Sequence, residues 1–500
     1  MNLSLDRHSD LPLYRQVAEQ IGGLIRSGVL SAGCRLPTVR QLASEHGLTR
    51  LTVQSGYAEL QIQGLIESFV GRGTFVAKRA QMLPPVVAPP ISGLEQSPVE
   101  PTAWHNQSLL AELVLMTEQP NLLSFAQAIP DPETYPTREL RHALQSALDQ
   151  PDSLSYGPIQ GENSLREQIS RMLLERGIAA SPDTLLVCSG AQQGIDVALR
   201  ALAQPGEVIL AEEPVYPGII ELAATRGQRV VTIPMDQDGI QLAAMETACI
   251  AHHPRLLYTV PTFHNPTGLS MVAARREALL ALARTYDLSI VEDDVYGMLS
   301  YEDPAPVPLK ALDQTGKVIY ITSFSKSLAP GLRLGALVAS HEQVRLLAAA
   351  KQSCDLICSP LLQRALALYL RRGHFEAHLQ RVRALYRERR DALLSALERY
   401  LPGCSYTRPS GGLSVWVTLP EHLDESDFCR EALERGVGVA RGQAFFGRQQ
   451  QRGYLRLSFG SHTPAQILEG MKILGDVVYE HQQRRIRLLA RAGLTTRPLV

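Results

Sequence analysis

Side chains that can act as a nucleophile or bind an anion cluster in one stretch of the chain, residues 323–335 (SFSKSLAPGLRLG). Lys326 lies between two serines, and Arg333 follows seven residues later. A neutral lysine amine forms a Schiff base with an aldehyde, while serine hydroxyls and a guanidinium bind phosphate. A lysine at the end of a strand is more often simply solvated, so this stretch alone does not define a site.

Further candidates follow other strand-like runs. Residues 189–192 (SGAQ) come after TLLVC and precede a helical pattern, whose free N–H groups favour an anion. Asn265 lies beyond RLLYTVP, and Asp293 lies beyond LSIV. Each has an ordinary explanation as a turn or a helix cap. Together with Lys326 and Arg333, they meet the requirements of pyridoxal phosphate: an amine for the aldehyde, a phosphate cradle and a carboxylate for the pyridine nitrogen.

These residues must be positioned by the elements between them. Six apolar runs alternate with helical patterns along the body of the chain: TLLVCSG, EVILAEEP, RVVTIPM, RLLYTVP, LSIVEDD and KVIYITS. Strands interleaved with helices predict an α/β fold with a mainly parallel sheet, in which ligands bind at the carboxyl ends of the strands.

The first eighty residues show a different pattern. Apolar residues recur at helical spacing over residues 13–28, over 38–46 and again from Thr49, which is a candidate N-cap. Residues 65–76 then form two short strand-like runs around the tip Gly71-Arg72-Gly73. Two short helices joined by a glycine-containing turn and followed by a hairpin predict a winged helix-turn-helix.

The polar residues of this segment favour DNA binding over the alternative of a small helical core without a ligand. Arginines and short hydroxyls at the start of a recognition helix suit phosphate and base-edge contacts, and an arginine at a wing tip suits the minor groove. The residues that we predict to contact DNA are Arg40, Thr49, Arg50, Thr52, Gln54 and Arg72.

Composition excludes several classes of protein. A chain of 500 residues predicts more than one domain. Its 49 basic and 50 acidic residues give a net charge of -1, so any contact with nucleic acid must be local. The seven cysteines are scattered, which argues against a metal site or a disulfide framework and favours reduced thiols in the cytoplasm. No signal-peptide pattern or long apolar run predicts secretion or a membrane span.

Residues 82–101 are rich in proline and lack any helical or strand period, which predicts an extended linker. The predicted domains are therefore a DNA-binding domain over 1–79, a linker over 80–110 and a cofactor-binding domain over 111–500.

Ordered motifs give the chain a family resemblance. The N-terminal segment resembles the GntR-type winged helix through GVLSAGCRLPTVRQLA, LTRLTV, GYAEL and GRGTFV. The body resembles class I aminotransferases, of the type I fold of pyridoxal-phosphate-dependent transferases, through SGAQQ, NPTG, DDVY, SFSK and LRLSF. The whole chain resembles the MocR subfamily of GntR-type bacterial regulators. Two departures are Leu51, where relatives usually carry a polar residue, and Ala128, where glycine is common.

The resemblance implies roles for individual residues. Lys326 would form the Schiff base with pyridoxal phosphate, Asp293 would pair with the pyridine nitrogen, and Arg456 would bind the carboxylate of a substrate or effector. Tyr156 would reach the phosphate of the neighbouring subunit. The other residues implied in cofactor binding are Gly190, Ala191, Gln192, Tyr216, Asn265, Tyr296, Ser323, Ser325 and Arg333.

Three hypotheses of different classes follow. The first is a homodimeric transcriptional regulator that binds double-stranded DNA and responds to pyridoxal phosphate or to a small amine or amino-acid effector. The second is a working aminotransferase that also regulates, which turnover of an amino donor with a keto acid would reveal. The third is a DNA-binding protein whose second domain only dimerises, which visible absorbance of bound cofactor would exclude.

Overall fold

The computed structural model describes residues 13–26, 30, 33–62, 65–69, 73–77, 122–302, 305–447 and 453–491. The chain divides into two compact units, with the boundary between residues 94 and 95. The predicted linker, residues 80–110, lies outside the described residues. Among the helices of the described ranges, none is long and apolar enough to cross a membrane.

The N-terminal unit contains three helices and a hairpin. Its elements are α1 (Leu13–Arg26), α2 (Val39–His46), α3 (Arg50–Ile62), β1 (Ile66–Phe69) and β2 (Gly73–Val76). One apolar cluster joins them, and Val17, Ile21, Val53 and Leu60 are fully buried in it. The strands pair antiparallel, with Ile66 opposite Val76. The winged helix-turn-helix predicted from the sequence is confirmed.

The turn between α2 and α3 is fixed by local hydrogen bonds. Thr38 caps α2 in a capping box with Gln41, and Gly47 ends the helix in the left-handed conformation, with φ of 60°. The Oγ1 atom of Thr49 accepts a hydrogen bond from the backbone N–H of Thr52 at 3.2 Å. This bond caps the start of α3, as the sequence predicts for Thr49.

The second unit is built on an eight-stranded sheet with a smaller four-stranded sheet beside it. The strands of this unit are β3 (Leu123–Ser124), β4 (Leu185–Cys188), β5 (Val208–Glu213), β6 (Arg229–Asp236), β7 (Gly239–Ile240), β8 (Leu256–Thr259), β9 (Ser289–Asp293), β10 (Val318–Ser323), β11 (Gly335–Val338), β12 (Ser405–Tyr406), β13 (Ser414–Thr418), β14 (Val437–Gly438), β15 (Ala440–Arg441) and β16 (Tyr454–Ser458).

Helices separate most of these strands. They are α4 (Thr137–Leu148), α5 (Asn163–Leu174), α6 (Ala191–Leu202), α7 (Pro217–Thr225), α8 (Leu242–His252), α9 (Ala273–Thr285), α10 (Leu309–Leu312), α11 (Phe324–Ser327), α12 (His341–Asp355), α13 (Pro360–Arg371), α14 (His374–Tyr400), α15 (Glu425–Glu434) and α16 (Pro464–Arg491).

The large sheet is mainly parallel, as predicted. Its strand order is β4-β11-β10-β9-β8-β5-β6-β7. Pairing is parallel from β10 through β9, β8 and β5 to β6. Strand β11 runs antiparallel to both of its neighbours, and β7 runs antiparallel to β6. Strands β5, β8, β9, β10 and β11 are buried along almost their whole length, which explains why their sequences are largely apolar runs. Strand β6, next to the short β7, is only partly buried.

Candidate functional site

A cavity of about 440 Å³ lies where strands of the large sheet end. Most of the residues predicted to bind the cofactor line it together, and so does Arg456, the residue predicted to bind the carboxylate of a substrate or effector. These are Ala191, Gln192, Tyr216, Asn265, Asp293, Tyr296, Ser323, Ser325, Lys326, Arg333 and Arg456. These residues come from several separate strand ends and loops, and the fold brings them together around one cavity.

Lys326 lies on α11, the short helix that directly follows β10. Its Nζ donates a hydrogen bond to the backbone oxygen of Ala128 at 2.7 Å. Burial, together with the positive charges of Arg456 and Arg333, lowers the pKa of Lys326 to about 8. At physiological pH, a far larger fraction of the Lys326 amine is therefore neutral and nucleophilic than in an ordinary lysine.

Asp293 ends β9, and its carboxylate is held from two sides. Oδ2 accepts a hydrogen bond from the hydroxyl of Tyr258 at 2.8 Å, and Oδ1 accepts one from the backbone N–H of Val295 at 3.3 Å. Burial raises the pKa of Asp293 to about 6, although both hydrogen bonds oppose the rise. A buried carboxylate of this kind gains from a cationic partner such as a protonated pyridine nitrogen.

Sequence reasoning did not identify Tyr258, which lies inside the apolar run of β8. The signal in the sequence is one polar side chain within an otherwise apolar run, and the structure pairs Tyr258 with Val291 of the neighbouring strand, two residues before Asp293. A polar residue in an otherwise apolar strand, on the same face as a strand-end carboxylate, indicates a contact with it.

The turn before α6 and the side chain of Arg333 form an anion cradle. Gly190 has φ of 83°, and a Cβ built there would lie 2.9 Å from Nη2 of Arg333. Arg333 donates from Nη1 to Oγ of Ser325 at 3.3 Å and from Nη2 to the backbone oxygen of Ser189 at 3.1 Å. Only glycine allows the guanidinium to approach the turn this closely.

A buried polar network supports the cradle from behind, and sequence reasoning missed it. The backbone N–H of Ser189 donates to Oε1 of Gln193 at 2.7 Å, and Nε2 of Gln193 donates to Oδ2 of Asp355 at 2.7 Å. Oδ1 of Asp355 accepts from the fully buried Nζ of Lys351, also at 2.7 Å. The buried amine of Lys351 is thus connected to the cradle turn through the side chains of Asp355 and Gln193.

Arg456, on β16, closes the cavity on the side of the smaller sheet. Its Nη1 donates to Oδ1 of Asn265 at 2.9 Å, its Nη2 donates to the backbone oxygen of Ala126, and its guanidinium lies 4.8 Å from the ring centroid of Phe445. Its Nε has no hydrogen-bond partner among the described residues. Burial lowers the pKa of Arg456 to about 10, so the side chain remains cationic at neutral pH.

Two tyrosines line the cavity between these charges. The hydroxyl of Tyr216 donates to Oε1 of Gln192 at 2.8 Å. Tyr296 is buried, and its burial raises the pKa of its hydroxyl to about 12, which keeps the group protonated as a donor. Tyr156, in contrast, does not line the cavity of its own chain and is 88% exposed.

The residues predicted to contact DNA lie at the surface of the N-terminal unit. Thr49, Arg50 and Gln54 are exposed and Thr52 is half-buried, at the start of α3, while Arg40 is exposed in the first turn of α2. The hydroxyl of Thr49 is hydrogen-bonded to that of Thr52 at 2.8 Å. Arg72 and the side chain of Leu51 lie outside the described residues.

The two units define a winged-helix protein with an aminotransferase-type α/β domain. Residues 121–474 match the family model of aminotransferase class I and II, and residues 13–76 match that of the bacterial regulatory proteins of the gntR family. The chain belongs to the aminotransferase class I and II family and carries a gntR-family domain at its N-terminal end. This arrangement is consistent with MocR-type regulators and confirms the resemblance drawn from the motifs.

Relatives of both kinds share sequence with this chain. It is 33% identical over 473 residues to the HTH-type transcriptional regulator YjiR of Escherichia coli, covering 93% of this chain and 98% of that protein. It is 32% identical over 464 residues to the HTH-type transcriptional regulator TauR of Rhodobacter capsulatus, covering 92% and 95%. The crystal structure of LysN, an alpha-aminoadipate aminotransferase from Thermus thermophilus complexed with N-(5'-phosphopyridoxyl)-L-leucine, matches with a TM-score of 0.71 at 33% identity, covering 76% and 97%.

The raised pKa of Asp293 gives a prediction for the protein without cofactor. The folded state holds this proton with a pKa of about 6, against an ordinary value of 3.8, so ionisation opposes folding increasingly as pH rises between these values. Asp293→Asn removes that effect. We expect the free energy of unfolding of Asp293→Asn minus that of the native protein to be about 1 kcal/mol larger at about pH 7 than at about pH 5.

Urea unfolding of both proteins, followed by tryptophan fluorescence at the two pH values, measures this difference. Asp149→Asn, at an exposed position after α4, is the matched control. An advantage of Asp293→Asn that shrinks as pH rises would contradict the raised pKa.

Proposed function

We propose that this protein is a transcriptional regulator whose N-terminal unit binds an operator and whose second unit binds pyridoxal phosphate through Lys326. The observation that carries the proposal is the convergence of Lys326, Asp293, Arg333 and Arg456 on one cavity in a chain that also carries a winged helix. The relatives YjiR and TauR, named as HTH-type transcriptional regulators, match over nearly the whole chain and support this function.

The chemistry of the cavity fits the cofactor. A buried amine with a lowered pKa, a buried carboxylate with a raised pKa and a cationic anion cradle are the three groups that pyridoxal phosphate requires. The missing Cβ of Gly190 leaves room for Arg333 beside the turn, where backbone N–H groups begin α6. The complex of LysN with a phosphopyridoxyl adduct supports the same assignment by similarity.

The residues of this chain would divide the work as follows. Pyridoxal phosphate supplies an aldehyde that reacts with amines and an electron-withdrawing pyridine ring. Lys326 would hold the aldehyde, Asp293 would keep the ring nitrogen protonated, and Arg333 with Ser325 would bind the phosphate. Tyr258 would orient Asp293 through its hydrogen bond. Arg456, which lines the cavity and stays cationic, would bind the carboxylate of an amino-acid effector through charge-assisted hydrogen bonds.

Regulation would follow from competition for Lys326. The amine of an effector would compete with the amine of Lys326 for the aldehyde that the cofactor supplies, and a lysine left unbound would change the charge and the hydrogen bonds just beyond β10. A ligand shifts a protein between two states only if it binds them differently. The lysine is therefore the residue through which we propose that the effector changes operator binding.

Lys326→Ala tests the sensing role. Arg333, Ser325 and the start of α6 remain, and each charge-assisted hydrogen bond contributes roughly 1.5 to 3 kcal/mol, so we expect cofactor to bind loosely and operator affinity to persist in part. The change in footprint and in transcription on adding cofactor or amine should be lost. Lys317→Ala, which removes a surface ion pair with Asp287, is the control. A Lys326→Ala protein that responds as the native protein does would show that another residue is the sensor.

Arg50→Ala tests the DNA-binding face separately. Arg50 is exposed at the start of α3, so its loss should weaken operator binding by roughly tenfold, the effect of one guanidinium contact. The visible absorbance of bound cofactor should not change, because the cavity belongs to the other unit. Gel-shift titration and absorbance spectra measure the two effects, with Arg141→Ala in α4 as control. Loss of the cofactor spectrum would refute the division into two functional units.

We also propose a homodimer in which Tyr156 of each chain completes the partner's phosphate site. Tyr156 is 88% exposed and the nearby Leu154 is 81% exposed, and such large exposed apolar groups favour association. We expect the native protein to sediment as a dimer. We expect Tyr156→Phe to bind the cofactor about tenfold more weakly, because one hydrogen bond to a charged group is lost. Tyr479→Phe, at another exposed tyrosine, is the control. A monomer with normal cofactor affinity would be incompatible with a shared site.

A further inference from the structure

A second cavity, of about 640 Å³, lies in the aminotransferase-type unit, and no residue that lines the cofactor cavity lines this one. It is enclosed by residues of α5, by residues of α14 and by the described part of the loop that follows β9. Its size falls within the range of small-molecule sites in proteins. We refer to it below as the Arg176 cavity, after the charged residue that lines it and is most deeply buried.

Part of the surface of the Arg176 cavity is apolar. Met172, Met298, Val307, Phe375 and Leu379 line it. Methionine side chains are flexible and polarisable, so they adapt to ligands of different shapes. An apolar side chain of a ligand could therefore pack against these residues.

Arg176 lines this cavity and is only 7% exposed. Its Nη2 donates to Oδ2 of Asp294 at 3.0 Å, and the hydroxyl of Tyr320 donates to the same oxygen at 2.7 Å. The Nε of Arg176 has no hydrogen-bond partner among the described residues. This Nε is closed to solvent, so a ligand in the cavity would meet the guanidinium of Arg176 through its other nitrogen atoms.

The register of the sheet separates the Arg176 cavity from the cofactor cavity. Asp293 pairs with Ile321 of β10, and Tyr320 is the next residue along that strand. Since successive side chains of a strand point to opposite faces, Tyr320 faces away from the side of the sheet on which Asp293 lies. The carboxylate of Asp294 meets Tyr320 on that opposite face.

The mouth of the cavity carries charges of both signs. Arg171 and Arg383 line it together with Glu175 and Glu376. Glu376, which is 51% exposed, forms an ion pair at 3.9 Å with Arg383, which is 32% exposed, and a ligand ammonium would share this carboxylate. Arg383 also donates from Nε to the backbone oxygen of Met298 at 2.8 Å, which fixes its stem against the cavity wall. A mouth of mixed sign is complementary to a zwitterion rather than to a simple anion or cation.

We propose that the Arg176 cavity binds a free α-amino acid with an apolar side chain. The carboxylate of the ligand is held by Arg176 and Arg171, its ammonium by Glu175 and Glu376, and its side chain packs on the apolar part of the cavity surface. This proposal does not depend on cofactor binding at Lys326. Because Asp294, the partner of Arg176, directly follows Asp293, the two cavities share one segment of backbone.

Titration calorimetry of the full-length protein with L-phenylalanine tests the site. Val307 lines the cavity and is 50% exposed, so Val307→Trp fills the cavity without removing a charge. We expect saturable binding to the native protein and loss of that binding component, or at least a tenfold weakening, in Val307→Trp. Val272→Trp is the matched control, because Val272 is 42% exposed and lines neither cavity.

A second variant keeps the test valid if the tryptophan disturbs folding. Arg171→Gln changes an exposed side chain at the mouth and should weaken binding by about threefold to fivefold, the effect of one partly exposed charge contact. Arg345→Gln, exposed on α12, is its control. None of these substitutions changes the cofactor cavity, so any binding of L-phenylalanine there contributes equally to every titration. Native-like titrations of Val307→Trp and Arg171→Gln, or no binding by the native protein, would overturn the proposal.

Discussion

The parallel pairing of β8, β9 and β10 is the constraint on which the site depends. It sets Tyr258 against Asp293 and brings the end of β9 beside the end of β10, from which α11 carries Lys326. A shift of one residue in either pairing would turn these side chains to the other face of the sheet. These apolar strands therefore form the core and also fix the positions of Asp293 and Lys326, while Arg456 comes from β16 of the smaller sheet.

Burial acts on those charged groups in opposite directions. It lowers the pKa of the Lys326 amine and raises that of the Asp293 carboxyl, so each group moves toward its neutral form, while Arg456 stays cationic. A ligand that brings a phosphate, an aldehyde and a basic ring nitrogen offers a partner to each of them. The cavity is thus arranged for a molecule with several charges rather than for an apolar one.

Polar groups behind the cavity hold the lining residues in place. The chain of hydrogen bonds from Lys351 through Asp355 and Gln193 to Ser189 fixes the turn at Gly190, where phosphate is proposed to bind. On the opposite face of the sheet, Arg176, Asp294 and Tyr320 form a second buried group next to Asp293. Partners compensate most of the charge in both networks, but Nε of Arg176 and Oδ1 of Asp294 have no hydrogen-bond partner among the described residues.

The sequence by itself determined the order of the elements and several charged residues of the cavity, because these features are encoded locally. Apolar runs separated by helical patterns indicate a parallel sheet, and polar residues just beyond such runs lie where ligands bind, which is how Asp293, Lys326 and Arg333 were found. Only the tertiary structure decided what touches these residues. Gln193 and Asp355 are 162 positions apart in the chain, and Arg176 is 118 positions from Asp294. No local pattern encodes such pairs, since strand order and helix packing alone bring them together.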